Sequence, residues 1–135
     1  GDFTDSLLEL QSARALDPND PFLHIREAEL ALEVHGANLE VAAKAYLKSY
    51  DIHPQNPRML IALGEVLEEL DRSEEATQYF QEAVFWAPSY GITRYAYASH
   101  LLRLGRDADA NVAMIWANEA SVYPWTAEVD HHSTP

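Results

Sequence analysis

The sequence predicts an all-α chain built as a solenoid of antiparallel helix hairpins, and three observations predict it. A block of residue classes recurs every 34 to 36 positions, each copy carries two stretches of helical periodicity, and no stretch alternates with the period of a strand. The loop Pro54-Gln55-Asn56-Pro57 lies over Pro18-Asn19-Asp20-Pro21, 36 residues apart. Past it, Ile25 falls on Ile61, Ala28 on Gly64, Glu29 on Glu65, Leu30 on Val66 and Glu33 on Glu69. A third copy follows 34 residues later, with Tyr95 under Ile61, Ala98 under Gly64 and Leu101 under Leu67. In the second halves the columns are Ala42, Ala76, Ala110, then Tyr46, Phe80, Met114, then Ser49, Ala83, Ala117. The longer first copy carries its excess in His35-Gly36-Ala37-Asn38, where a turn tolerates insertion at little cost.

Helices are expected at about 4–16, 21–34, 39–52, 57–70, 73–86, 91–104 and 107–121. Lone and unpaired, the first looks like the second half of an earlier copy. The middle copy is the clearest: Leu60, Leu63, Gly64, Leu67 and Leu70 recur at spacings of three and four, then Ala76, Phe80, Ala83 and Val84 do the same. Pro57 opens its first helix, where a missing N–H costs nothing; Ser73 with Glu74 and Glu75 starts its second, and Pro88 ends it. Tyr123-Pro124-Trp125 stops the last helix. One domain is expected over 1–125, with copies at 21–54, 57–88 and 91–122 behind the lone helix at 4–18, and a flexible tail at 126–135.

Composition narrows the function classes. The 135 residues fit one core, and 47% hydrophobic with 23% charged residues is globular usage. Nine basic against 22 acidic residues give a net charge of -13, which repels phosphate backbones and argues against nucleic acid. No cysteine is present, so thiol catalysis, disulfides and thiolate metal sites are excluded. Apolar runs are too short to cross a bilayer, so a soluble chain without direct membrane insertion is expected. Cytoplasm and periplasm both suit it, because a cysteine-free chain tolerates either redox state. Because it begins at Gly1 with no initiator Met, a larger precursor or parent protein that carried its targeting information is expected.

Leu63-Gly64, Ala76, Tyr79-Phe80, Ala83, Trp86 and Pro88 occupy the places of the large-small pair, the small residue, the aromatic, the second small residue, the apolar closer and the proline of one known motif. In this the chain resembles the tetratricopeptide repeat (TPR) family, over about three helix pairs plus one preceding helix. The first and third copies depart from the pattern: Glu27 stands where a large apolar residue is usual, and the third copy lacks the closing proline, with Pro124 lying two residues past Val122. The resemblance implies a right-handed superhelix whose first helices line a concave, peptide-holding surface. Family members that grip a C-terminal carboxylate do so with lysines and asparagines in first helices. Ile25, Glu29, Ile61, Ala62 and Glu65 stand in that region here, so that mode is not expected. Independently of the family, the small columns let backbones approach, and Tyr46, Phe80 and Met114 fill the space between layers.

No catalytic constellation is visible, and neither enzyme activity nor a cofactor is expected. The six histidines are scattered, no HExxH, GxSxG, GxGxxG or GxxxxGK occurs, and His131-His132 beside Asp130 reads better as a solvated tail than as a metal site. Two features rise above ordinary surface. Glu65 with Glu69, like Glu29 with Glu33, sets like charges four residues apart, and Glu68 and Glu69 crowd the negative end of their helix. Each costs a few tenths of a kcal/mol and helps no fold. Secondly, Phe22, Ile25, Leu32, Ile61, Ile92, Tyr95 and Leu102 are apolar at positions the register leaves open.

A groove is therefore expected from Phe22, Ile25, Glu29, Glu33, Arg58, Ile61, Glu65, Glu68, Glu69, Tyr95, Ser99 and Arg103. Its partner is expected to be a protein or peptide with basic and apolar residues, oriented by Arg58 and Arg103. The functional expectation is an interaction scaffold or adaptor. A docking or regulatory segment of a larger multidomain enzyme is the alternative, as is a scaffold that self-assembles into homo-oligomers through its uncapped ends. At the last end, Trp116, Tyr123 and Trp125 are expected either to fold back as an aromatic lid over the terminal repeat or to be covered by another part of the parent protein.

Overall fold

A computed structural model describes residues 2–33 and 37–113. Six helices follow one another: α1 (Asp2–Leu16), α2 (Pro21–Glu33), α3 (Leu39–Ile52), α4 (Pro57–Glu69), α5 (Ser73–Trp86) and α6 (Gly91–Arg103). A further helix opens at 107 and is described through 113, and no strand occurs among the described residues. Met114, Trp116, Ala117, Tyr123, Trp125, the His131-His132 pair, the tail 126–135 and His35-Gly36 of the first turn lie outside the described residues.

Polar caps and backward bonds set the helix ends. Asn38 Oδ1 accepts from the N–H of Val41 and Asn56 Oδ1 from that of Met59, at 3.1 and 3.2 Å, while Asp20 Oδ1 accepts from Phe22 at 3.0 Å. Helix α5 starts at Ser73, as expected. Arg72 is its N-cap, and its side chain makes no capping bond but grips Glu75 through two bonds of 3.0 and 2.8 Å. Arg106 repeats the device on Asp109, 34 residues on. At the end of α4 the chain turns through Asp71 at φ 59°, and Arg72 N–H reaches back to Leu67 O at 2.8 Å. Gly105, at φ 77°, holds the equivalent left-handed place after α6, where Arg106 N–H returns to Leu101 O. Asp71 and Gly105 both belong to residue types that accept that region.

Hairpins α2/α3 and α4/α5 pack internally, and α3 on α4 and α5 on α6 join them into a stack. The register columns form its core. Ala28, Gly64, Ala98, Ala42, Ala76 and Ala110 are buried, as are Tyr46 and Phe80 between the layers, with Leu10 holding the corresponding place in α1. Gly64 shows why the small column is small: a Cβ there would stand 2.7 Å from Phe80 Cε2. Glu27, the departure in the first copy, is ion-paired with Arg14, so α1 is tied to α2 by charge where later copies use a large apolar or aromatic side chain. Between layers, Tyr50 stands edge-on to Tyr79 at 5.2 Å and donates to Glu82 Oε1 at 2.7 Å, and that bond leads in holding its pKa up at about 12. Among the described residues no helix is long and apolar enough to cross a membrane.

Candidate functional site

Two open recesses lie along the first helices, and the sequence register maps one onto the other. The first, of about 310 Å³, is lined by Phe22, Ile25, Glu29, Tyr46, Arg58 and Ala62, with Asn56 and Met59. The second, of about 340 Å³, is lined by Ile61, Glu65, Phe80, Ile92, Tyr95 and Ala96, with Ser99 and Arg103. Ile25 corresponds to Ile61, Glu29 to Glu65, Tyr46 to Phe80, Arg58 to Ile92 and Ala62 to Ala96. Each recess thus has an isoleucine wall, a glutamate rim, an aromatic floor from the second-helix column, and an alanine small enough to leave the space open. The geometry follows from stacking: a first helix, its neighbour and the second helix behind them enclose one hollow per step.

Of the expected groove residues, Phe22, Ile25, Glu29 and Arg58 share the first recess, and Ile61, Glu65, Tyr95, Ser99 and Arg103 share the second. Ile61 and Tyr95 are half-buried, neither lost in the core nor free of it, while Phe22 and Ile92 are 67% and 51% exposed. Glu33, Glu68 and Glu69 line neither recess. Glu33 accepts from Arg26 Nη1 at 3.3 Å on the surface, and Glu69 is exposed. Glu68 is turned into the seam between helices. Arg103 Nη2 donates to its Oε1 at 2.7 Å, Arg103 Nε to its Oε2 at 2.9 Å, and His100 Nδ1 meets Oε2 at 2.6 Å. Arg103 is therefore no free cation; it reaches from α6 to α4. Arg58 is likewise engaged, donating to Tyr90 OH at 3.3 Å.

Charge across the recesses follows from these positions. Burial leads in raising the Glu65 carboxyl above its ordinary range, Glu68 and Glu69 push the same way, and Arg103 opposes them. Glu68 is moved down: burial lifts it, but the bonds from Arg103 and His100 outweigh that cost. The Tyr46 hydroxyl is pushed up to about 12, first by burial and then by the charges of Glu29 and Glu65.

His100 is the residue the sequence reading passed over. Its ring is fully buried, stacked on Phe80 at 4.7 Å and 28°, with Nε2 2.6 Å from Thr77 Oγ1. A signal for it does exist: position 100 is in register with Leu30 and Val66, both buried, so a histidine there enters an apolar column and needs polar partners. No group of three or more potential metal ligands occurs among the described residues.

Solved structures share this fold. MamA MSR-1 C2 is 22% identical with a TM-score of 0.71, the alignment covering 90% of this chain and 68% of that one. MamA AMB-1 P212121 is 24% identical with a TM-score of 0.70 over 84% of this chain and 61% of that one. A further crystal structure of MamA reaches a TM-score of 0.78 at 13% identity, over 88% of this chain and 68% of that one. At these identities the likeness is one of fold: a TPR-like solenoid of helix hairpins. The chain spans about 61 to 68% of the length of those structures. No family model matches the sequence, and no curated protein does.

Proposed function

We propose that this chain is a TPR-type interaction module, a scaffold or adaptor that seats a segment of another polypeptide along its first helices. The observation that carries the reading is the recess pair: two hollows in strict sequence register, each an apolar pocket with a glutamate on its rim. Hollows that repeat with the helices suit a ligand whose side chains also repeat, an extended or helical segment with apolar anchors and basic neighbours. Exposed charge pairs contribute only about 0 to 1 kcal/mol each, so affinity comes mainly from the apolar contacts. The glutamates set sign preference and association rate.

The test is fluorescence anisotropy with two labelled synthetic peptides sharing the same leucines, one carrying lysines and the other glutamates. The lysine peptide binds weakly and loses affinity with salt, and the glutamate peptide does not bind. Charge reversal at Glu65 and Glu69 slows its association, and Tyr95→Ala speeds its release. Binding indifferent to all of these changes would remove the recesses from the reading. A second reading, self-assembly, is favoured by apolar side chains in the open on second-type helices: Leu16 at 89%, Phe85 at 71% and Trp86 at 42% exposure.

A further inference from the structure

We infer that Glu68 is the residue that sets the charge preference of the second recess, by holding the Arg103 guanidinium in the seam between α4 and α6. The inference rests on the recess reading above and adds the device that fixes its sign. Glu65 and Arg103 line the same hollow. Left to themselves, a carboxylate and a guanidinium sharing one rim neutralise each other, and the recess has no reason to prefer a cation. Here the guanidinium gives its hydrogen bonds to Glu68, and only its through-space field reaches Glu65. Its two donors meet both oxygens of Glu68, at 2.7 and 2.9 Å, the planar fork geometry that makes an Arg–carboxylate pair directional. Glu65 thereby keeps its negative charge for a ligand.

The anchor is itself anchored. An ionised carboxylate only accepts, so His100 carries a proton on Nδ1 and donates it to Glu68 Oε2 at 2.6 Å. The other ring nitrogen is fixed by Thr77 Oγ1 on α5 at 2.6 Å, and Thr77 Oγ1 also lies 3.2 Å from Ser73 O. Phe80, the floor of the recess, stacks on the same imidazole. Three helices thus converge on one carboxylate whose side chain is only 13% exposed, while the Arg103 side chain it holds is 54% exposed and otherwise at liberty to swing. His100 is a positioning residue for Glu68, and Glu68 for Arg103. The first recess has no such device: Leu32, in register with Glu68, offers no charge, and Arg58 shares its hollow with Glu29 directly.

Carboxyl-detected NMR on the full 135-residue chain tests this without any ligand, by following the titration midpoint of Glu65 through a double-mutant cycle. In the native chain Arg103→Gln raises the Glu65 midpoint only slightly, because the guanidinium is engaged. In the Glu68→Gln background, where the fork has lost its charge partner, Arg103→Gln raises it by a clearly larger step. Equal steps in both backgrounds overturn the inference. Should Glu68→Gln not fold, Arg103→Lys on the exposed rim gives a compact charge that cannot form the fork, and it must lower the Glu65 midpoint; an unchanged midpoint overturns the inference equally. The lysine and glutamate peptides then report the consequence: Glu68→Gln slows association of the first and brings measurable binding of the second. If the native chain binds neither peptide, the recess reading fails while the titration cycle still decides the role of Glu68.

Discussion

Gly64→Ala separates two opposed effects that the structure sizes against each other. Alanine is the better helix former by about 0.8 to 1 kcal/mol, and Gly64 lies inside α4 with no left-handed backbone to protect, so propensity alone forecasts a stabilised chain. Packing forecasts the reverse. The new Cβ would stand 2.7, 2.8 and 3.0 Å from three ring carbons of Phe80, all closer than carbon atoms tolerate. The ring cannot give way cheaply, since it is fully buried and backed by the His100 imidazole at 4.7 Å. Overpacking of this kind costs about 1 to 3 kcal/mol, so the clash wins and the variant loses on the order of 1 kcal/mol net. Urea unfolding followed by circular dichroism reads the difference from the midpoint at constant slope.

The same substitution in a Phe80→Ala background supplies the control. Phe80→Ala by itself costs about 3 to 5 kcal/mol, for a full ring removed from a close-packed interior. With the ring gone the clash is gone, so Gly64→Ala there becomes neutral or stabilising through the propensity gain. A change of sign between the two backgrounds is the expected result. If Gly64→Ala is stabilising in the native background, or if Phe80→Ala costs less than about 1 kcal/mol, Phe80 does not fill the space over Gly64 and the register of the stack is wrong.

Acid unfolding offers a second check. Glu68 has its pKa lowered in the fold, so it contributes stability that is present above the ordinary glutamate value and disappears as pH falls through its folded value; Glu68→Gln flattens that part of the stability profile. Glu65 is raised, so its charged form opposes folding at neutral pH, and Glu65→Gln increases thermal stability near pH 7 while leaving it unchanged at pH values where the carboxyl is already protonated. Tyr50→Phe removes a hydrogen bond to Glu82 between hairpins and lowers stability by about 1 kcal/mol in the same urea assay. Sedimentation velocity over a concentration series shows self-association that Leu16→Glu reduces; a clean monomer throughout would show that the exposed apolar side chains of the second-type helices seek no second copy.

Periodicity made the fold legible. Helix positions, the small columns and the aromatic column are all set by local spacing, and spacing is what a sequence displays directly. The recess walls were legible for the same reason, because Ile25, Ile61, Glu29 and Glu65 keep a fixed offset from the core columns. What escaped was the set of partners chosen across helices. Glu68 reads as one of several crowded glutamates, yet 35 residues separate it from Arg103 and 32 from His100, and nothing local says they meet. The register offered the clue in comparison: Arg103 replaces the glutamates at 33 and 69, and His100 replaces an apolar pair, so two breaks in the pattern fall three residues apart on α6. At α5 the start at Ser73 was legible, but the Arg72 fork on Glu75 that secures it was not, since it is a side-chain choice that spacing does not display.

The two recesses are alike in shape because stacking makes them so, and they differ where the copies have diverged. The first has a tyrosine floor and is lined by both Arg58 and Glu29; the second has a phenylalanine floor, Ile92 in place of the arginine, and an arginine on its rim that is paired with Glu68. The first recess therefore balances its charge within the hollow, while the second balances it in the seam and leaves Glu65 facing outward. A segment lying across both, as proposed, would meet a pocket holding both charge signs with a tyrosine floor on one side, and a phenylalanine-floored pocket with Glu65 on its rim on the other. On the proposed reading, an apolar anchor flanked by a basic side chain would gain more from the second recess than from the first, and the pair would distinguish the two directions in which a bound segment can lie. On that reading the few positions where neighbouring repeats disagree would set the orientation of a bound segment, on a frame supplied by the many where they agree.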